Sequence, residues 1–181
     1  ARKAYATDLS TGLPNHAQLL EHMTHLVALR GREPAPMCLL VLRIEGLSAM
    51  AQVLGVEATN VLRRKVAVRL RSGLRAADVV ASLGADTFAV LLAWMDSPED
   101  GPRVMAKLAQ ALTQPFNVTG RNTTVRVAAG YASFPGHGQD AESLLRRAMG
   151  QASSAAPMGK QGLGHAMHAA DRGSAAAAND E

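Results

Sequence analysis

"LRAADVVASLGADTFAVLL", residues Leu74 to Leu92, is the stretch on which the fold turns. Two apolar runs, Asp78 to Ser82 and Thr87 to Ala93, flank a short polar turn, and that pattern predicts a two-stranded hairpin. Upstream, "MCLLVLRI" reads as a buried strand from Met37 to Ile44. A helical pattern from about Leu47 to Arg71 joins the two, with Leu47, Met50, Leu54, Val61, Leu62, Val66 and Leu70 as its core positions. Arg63, Arg64, Lys65, Arg69 and Arg71 are expected on its solvated face.

Downstream, "SPED" is a helix start, with Ser97 as cap and Pro98 in the first turn, and the helix runs to about Leu112 before Pro115. Phe116 to Thr119 and Thr123 to Ala132 predict a second hairpin around Gly120. A last helix from about Ala141 to Ala152 turns Leu144, Leu145 and Ala148 inward. Near the start, "DLSTGLPNH" is turn chemistry, with Asn15 capping a helix that places Leu19, Leu20, Met23, Leu26 and Val27 on one face. His16, His22 and His25 on that helix lack a carboxylate-rich partner motif and are expected at the surface.

The order strand–helix–strand–strand–helix–strand, with extra helices at both ends, is an α+β, ferredoxin-like βαββαβ arrangement. It has a mainly antiparallel central sheet with helices packed on one face. Such a fold hosts many functions and decides none by itself. RNA-recognition modules of this fold need aromatics on the first and third strands. "MCLLVLRI" offers none, and "TFAVLLA" only Phe88.

At 181 residues the chain suits one domain, expected over residues 1–165, followed by a Gly/Ala-rich linker or tail over 166–181. The net charge of +4 invites a nucleic-acid reading, but the arginines are scattered and aromatics make up 3% of the chain. Single-strand binders need stacking platforms as well as charge, so polymeric nucleic acid is not expected as a partner. The run Met37 to Leu42 is far too short to span a bilayer, and no membrane contact is expected. The first residue is not Met, so the chain is expected to be a piece of a longer one. The single cysteine, Cys38, sits inside the apolar run as a buried small hydrophobe, in keeping with a reducing, cytoplasmic setting.

"DLSTGLPNH", the turn "LGADTF" and the final "LLRRAM" together resemble the GGDEF family of bacterial diguanylate cyclases and their inactive relatives, over roughly Ala6 to Gly164. The resemblance implies a nucleotidyl-cyclase, palm-like core. It also implies condensation of two GTP into cyclic di-GMP, with magnesium, at a site completed by two facing domains. The family's Gly-Gly-Asp-Glu-Phe turn stands here as Gly84-Ala85-Asp86-Thr87-Phe88. Its first-strand metal-binding aspartate aligns with Arg43, and its turn glutamate with Thr87. Hard divalent cations want carboxylates, so a cation at Arg43 and a neutral hydroxyl at Thr87 both work against the metal. Glu45, two residues on and on the same side of the strand, is expected to partner Arg43. The guanine-reading positions fall at Ala51 and at Thr59 or Asn60, and Ala85 adds a Cβ where the nucleotide should approach. Of two phosphate-contacting positions, one is Ala156 and the other Lys160, a residual contact through which GTP could bind without turnover.

The resemblance also implies a second site. Arg75-x-x-Asp78, followed by five residues and then Gly84, matches the family's inhibitory site for cyclic di-GMP. An arginine fork suits the O6/N7 edge of guanine, and an aspartate can accept from its ring and exocyclic N–H groups. Lys107 is the nearest basic match on the following helix. The plain alternative for Arg75 and Asp78 is an exposed ion pair worth at most about 1 kcal/mol. The leading reading is a catalytically inactive domain, without metal or other cofactor, that receives cyclic di-GMP. It would report to neighbouring domains of the same chain, such as an EAL-type phosphodiesterase, or to a second copy in a homodimer. Its rivals are a nucleotide-independent interaction or dimerisation module and a residual enzyme that recruits a metal through Glu45 and Asp86.

Overall fold

A strand with an apolar run on both of its faces dictates what surrounds it. The computed structural model describes residues 7–31 and 35–162. In chain order they form α1 (His16–Leu29), β1 (Met37–Glu45), α2 (Leu47–Leu54), α3 (Val56–Ser72), β2 (Val79–Ser82) and β3 (Thr87–Leu92). There follow α4 (Asp100–Leu112), β4 (Phe116–Val118), β5 (Arg121–Thr123), β6 (Arg126–Phe134) and α5 (Ala141–Ser154). The four-stranded sheet has the order β2-β3-β1-β6 and is antiparallel throughout, as the ferredoxin-like reading requires.

Successive residues of β1 point to opposite faces. Cys38, Leu40, Leu42 and Ile44 enter one core, shared with α2, α3 and α4, whereas Met37, Leu39 and Val41 enter a second, shared with α1 and α5. The expectation of helices on one face is therefore too narrow. Helices α2, α3 and α4, inside the βαββαβ unit, cover one face, and the terminal helices α1 and α5 cover the other. The physical reason lies in Met37–Leu42 of β1, a run with no polar face to leave in water; the charged residues of the strand, Arg43 and Glu45, come only at its end. No helix among the described residues is long and apolar enough to cross a membrane.

Three boundaries differ from the sequence reading. The pattern from Leu47 to Arg71 is two helices, because Gly55 sits at φ 91° and breaks the helix between Leu54 and Val56. The second hairpin closes on Thr119 and Gly120, at φ 50° and 84°, the left-handed pair that a two-residue turn needs. Its return strand ends at Thr123, and β6 starts separately at Arg126, where the chain passes to the β1 ladder. Helix α4 begins at Asp100 with Glu99 at its cap. Ser97 hydrogen-bonds the Glu99 carboxylate, and its carbonyl accepts from the Asp100 N–H. Chain beyond Pro157 also does more than trail away, for Met158 and Gly162 bridge to Val127 and Thr124. The tail expected over 166–181 lies outside the described residues.

Asn15 caps α1 by accepting from the Gln18 N–H, as its position suggests, and His16, His22 and His25 are exposed. Burial pushes the Cys38 thiol up to about 11, so it stays protonated and behaves as a core hydrophobe.

Helix α5 lies so close to β6 that only glycine fits at position 130. A Cβ there would stand 2.5 Å from both the Ala148 carbonyl oxygen and the Ala152 nitrogen. Gly130→Ala is expected to cost about 1–3 kcal/mol of folding free energy, measured by urea unfolding. Unchanged stability would show that α5 can retreat from the sheet without loss.

Candidate functional site

The β2–β3 hairpin carries a feature at each end. Its register, from Val79 opposite Leu91 to Ser82 opposite Phe88, puts the Gly84–Thr87 turn at one end and Asp78 and Ala93 at the other.

At the turn end, Gly84, Ala85 and Asp86 are exposed and Phe88 is fully buried. The Leu83 N–H donates to the Thr87 carbonyl at 2.8 Å, and the Asp86 carbonyl accepts from the Ile44 N–H at 2.7 Å, which locks the turn against β1. Thr87 is directly opposite Arg43 across the ladder, and its hydroxyl donates to Asp86 Oδ1 at 2.8 Å. Arg43 pairs with Glu45 at 2.8 Å, as expected, and Glu45 also faces Arg126 of β6 at 3.7 Å. A carboxylate between two guanidinium groups therefore stands beside the turn. Among the described residues, no three His, Cys, Asp or Glu side chains converge where they could hold a metal ion.

The remaining aligned positions are dispersed. Ala51 is on α2, and Thr59 on α3 is buried, with its hydroxyl given to the Val56 carbonyl at 2.6 Å. Asn60 is half-buried beside it, while Ala156 and Lys160 are exposed on the segment after α5.

Sequence reasoning missed the residue that organises this end. Arg63 is 7% exposed rather than solvated. Its guanidinium reaches the Asp8 carboxylate at 2.5 Å, Ser82 Oγ at 2.9 Å, the Gly84 carbonyl at 3.1 Å and the Ser10 hydroxyl. Arg69, also buried, donates to the carbonyls of Ala111, Gln114 and Pro115 and lies 3.5 Å over the Phe116 ring. Ala111 belongs to the last turn of α4, where its carbonyl also accepts from the Gln114 N–H at 3.2 Å, and Gln114 and Pro115 lie just past the helix. Arg71 donates to the carbonyls of Asp78, at 2.7 Å, and Arg75. The signal available in the sequence was spacing, since Arg63 lies one residue from the buried Leu62 and three from Val66 on the apolar side of α3.

At the opposite end, Arg71 shapes the turn from Arg75 to Asp78. The Asp78 carboxylate is 6% exposed and accepts from two backbone amides, Arg75 at 3.0 Å and Ala93 at 3.2 Å. The exposed ion pair considered for Arg75 and Asp78 is thus a buried contact to the Arg75 backbone. Among the described residues the Arg75 guanidinium has no ion pair or hydrogen bond, and it is exposed. Arg75 and Asp78 line a cavity of about 200 Å³ with Trp94, Met95, Asp100 and Arg103. Lys107 is exposed one turn further along α4 and does not line this cavity, whose α4 cation is Arg103, paired with Asp100 at 2.7 Å.

Comparison with known proteins bears on the same chain. Residues 5–161 match the family model described as diguanylate cyclase, GGDEF domain. Diguanylate cyclase DgcP of Pseudomonas aeruginosa is 33% identical over 148 residues, which is 81% of this chain and 22% of that protein. The chain spans about a fifth of the length of the first curated relatives it matches. Among solved structures, the GGDEF domain of TpbB (YfiN) from Pseudomonas aeruginosa superposes with TM-score 0.80 at 26% identity, covering 86% of this chain and 92% of that one. The GGDEF domain of DgcB from Caulobacter crescentus, solved in complex with c-di-GMP, superposes with TM-score 0.72 at 18% identity, covering 83% and 86%, a likeness of fold.

The Arg63 cluster makes two expectations. Removing a partner from a buried ion pair strands the other charge, so Arg63→Ala is expected to cost about 3 kcal/mol in urea unfolding. Burial alone would raise the Asp8 carboxyl, but hydrogen bonds from Ser82, Arg63 and Ser10 outweigh it and hold the group well below the usual carboxylate range. A depressed folded value means the stabilisation is complete near neutrality and is lost as the pH falls below about 4, where the unfolded carboxyl begins to bind protons. Asp8→Asn should therefore flatten the acid limb of the stability–pH curve. An acid limb as steep as that of the native chain would remove Asp8 as its source.

Proposed function

This chain belongs to the diguanylate cyclase GGDEF-domain family, and from that premise we propose that it is an inactive member acting as a receptor for cyclic di-GMP through Arg75 and Asp78. The observation that carries this reading is the exposed Arg75 guanidinium, without a hydrogen bond or ion pair among the described residues, which lines one cavity together with Asp78. A planar fork with free N–H groups is suited to the O6/N7 edge of guanine. Two acceptor sites of Asp78 hold backbone amides, and a carboxylate offers about four, so lone pairs remain for a base N–H. At about 200 Å³ the cavity is smaller than the roughly 300–1,000 Å³ usual for whole small-molecule ligands. It suits one base of a dinucleotide, with the sugar–phosphate ring outside.

The opposite end of the hairpin supports loss of the cyclase reaction. Magnesium does not fit the residues there. Arg43 stands where the family resemblance implies a carboxylate, Glu45 is held between Arg43 and Arg126, and the Thr87 hydroxyl is donated to Asp86. Two-metal phosphoryl transfer needs anionic oxygens facing the ions, and a guanidinium in the first strand opposes them. The two ends use different side chains, so loss of one chemistry leaves the other end intact.

Isothermal titration of cyclic di-GMP should give saturable binding that Arg75→Ala abolishes. Arg75 is the informative position, because Asp78→Ala would also strand two backbone N–H groups and weaken the fold. No heat at ligand concentrations far above micromolar would sink the receptor reading and leave a nucleotide-independent interaction module. Incubation with GTP and magnesium should yield no cyclic di-GMP; product that vanishes in Asp86→Ala would overturn the inactive reading.

A further inference from the structure

Trp94, the single tryptophan of the chain, stands two residues past the end of β3 and lines the same cavity as Arg75 and Asp78. Its indole is 53% exposed. Its placement is also heavily constrained. The preceding peptide is gripped at both ends, for the Ala93 N–H donates to Asp78 Oδ1 at 3.2 Å and the Ala93 carbonyl accepts from the Arg30 guanidinium. Arg30 is 2% exposed, and its guanidinium carbon lies 3.8 Å from the centroid of the indole ring. One face of the ring is therefore packed against a buried cation. The ring nevertheless keeps half of its surface exposed and lines the cavity.

We infer that Trp94 is a stacking platform for one purine of the ligand, held rigid by Arg30 and Asp78, so that the bound base, the indole and the Arg30 guanidinium form a three-layer stack. The inference rests on the receptor reading and adds a residue to it. Base–aromatic stacking is favourable for any nucleobase, since each has a π face. A guanidinium on the far side of the ring adds cation–π attraction to the indole and restrains its tilt. Arg75 and Asp78 then read the edge of the base that Trp94 holds flat. Asp78 does both jobs, with one oxygen on the Ala93 amide that positions the indole and lone pairs to spare at the cavity wall. Ordering the platform before the ligand arrives lowers the entropy lost on binding.

Because Trp94 is the only tryptophan, its fluorescence reports on this position alone. Titration with cyclic di-GMP should quench it saturably, with the same midpoint as calorimetry, and Arg75→Ala should abolish both signals. Trp94→Ala should weaken calorimetric binding at least about fivefold, and Trp94→Phe, which keeps a ring, should recover most of that loss. Calorimetric binding that is lost in Arg75→Ala but unchanged in Trp94→Ala, with no quenching in the native chain, overturns the stacking inference and leaves the receptor reading standing. Absence of calorimetric binding to the native chain overturns both. Should Trp94→Ala fail to fold, quenching in the native chain decides: saturable quenching upholds the stack, and binding without it does not.

Discussion

A buried guanidinium must find acceptors for its N–H groups, and much of this structure is arranged around one that does. Arg63 gathers a carboxylate and a hydroxyl from the N-terminal turn, a hydroxyl from the end of β2 and a carbonyl from the β2–β3 turn. Three segments far apart in sequence meet at one planar fork. Its Nε finds no acceptor among the described residues, so the terminal nitrogens carry the clamp. Because the turn is held from behind by Arg63 and from the side by the Ile44 amide, Thr87 has one place to sit, opposite Arg43.

Helix α3 repeats the device along its length. Arg69 closes the end of α4 by binding the Ala111 carbonyl and, just past the helix, those of Gln114 and Pro115, and Arg71 binds the carbonyls of Arg75 and Asp78 at either end of their turn. Guanidinium groups suit this work because their donors are fixed in a plane and stay charged under all ordinary conditions. The consequence for the two ends of the β2–β3 hairpin is mechanical independence. One end is tied through Arg63, the other through Arg71 and Asp78, and the strand pairs between them are apolar. Side chains at the turn can therefore change without loosening the cavity.

Periodicity made much of the fold legible. Strand β1, both strands of the first hairpin, the core positions of α1 and α5, and the end of α4 before Pro115 all follow from apolar spacing and turn residues. The misreadings share a cause, which is that local pattern says nothing about partners. The helix through Gly55 continues in periodicity but breaks in backbone conformation. The strand from Thr123 onward is continuous in β-propensity, yet its first residues pair with β4 and its later ones with β1. Arg63 and Arg69 read as a solvated face because charge is the ordinary mark of one. Their burial depends on carbonyls and carboxylates delivered from elsewhere in the chain. Trp94 drew no notice for the same reason: one aromatic residue in sequence carries no message until a cation and a cavity stand on either side of it.

By itself, then, the sequence determined the order of strands and helices and the apolar run of β1 that must be covered on both faces, and its family resemblance set Arg43 and Thr87 against positions where carboxylates are expected. It also marked Arg75 and Asp78 by their spacing from the turn. Tertiary structure alone decided which charges are spent internally and which stay free. Asp78 is bound to two backbone amides, Glu45 to flanking arginines and Asp8 to Arg63, while Arg75 faces solvent beside Trp94. Composition and spacing are properties of neighbours along the chain. Pairing depends on groups that only folding brings within hydrogen-bonding distance.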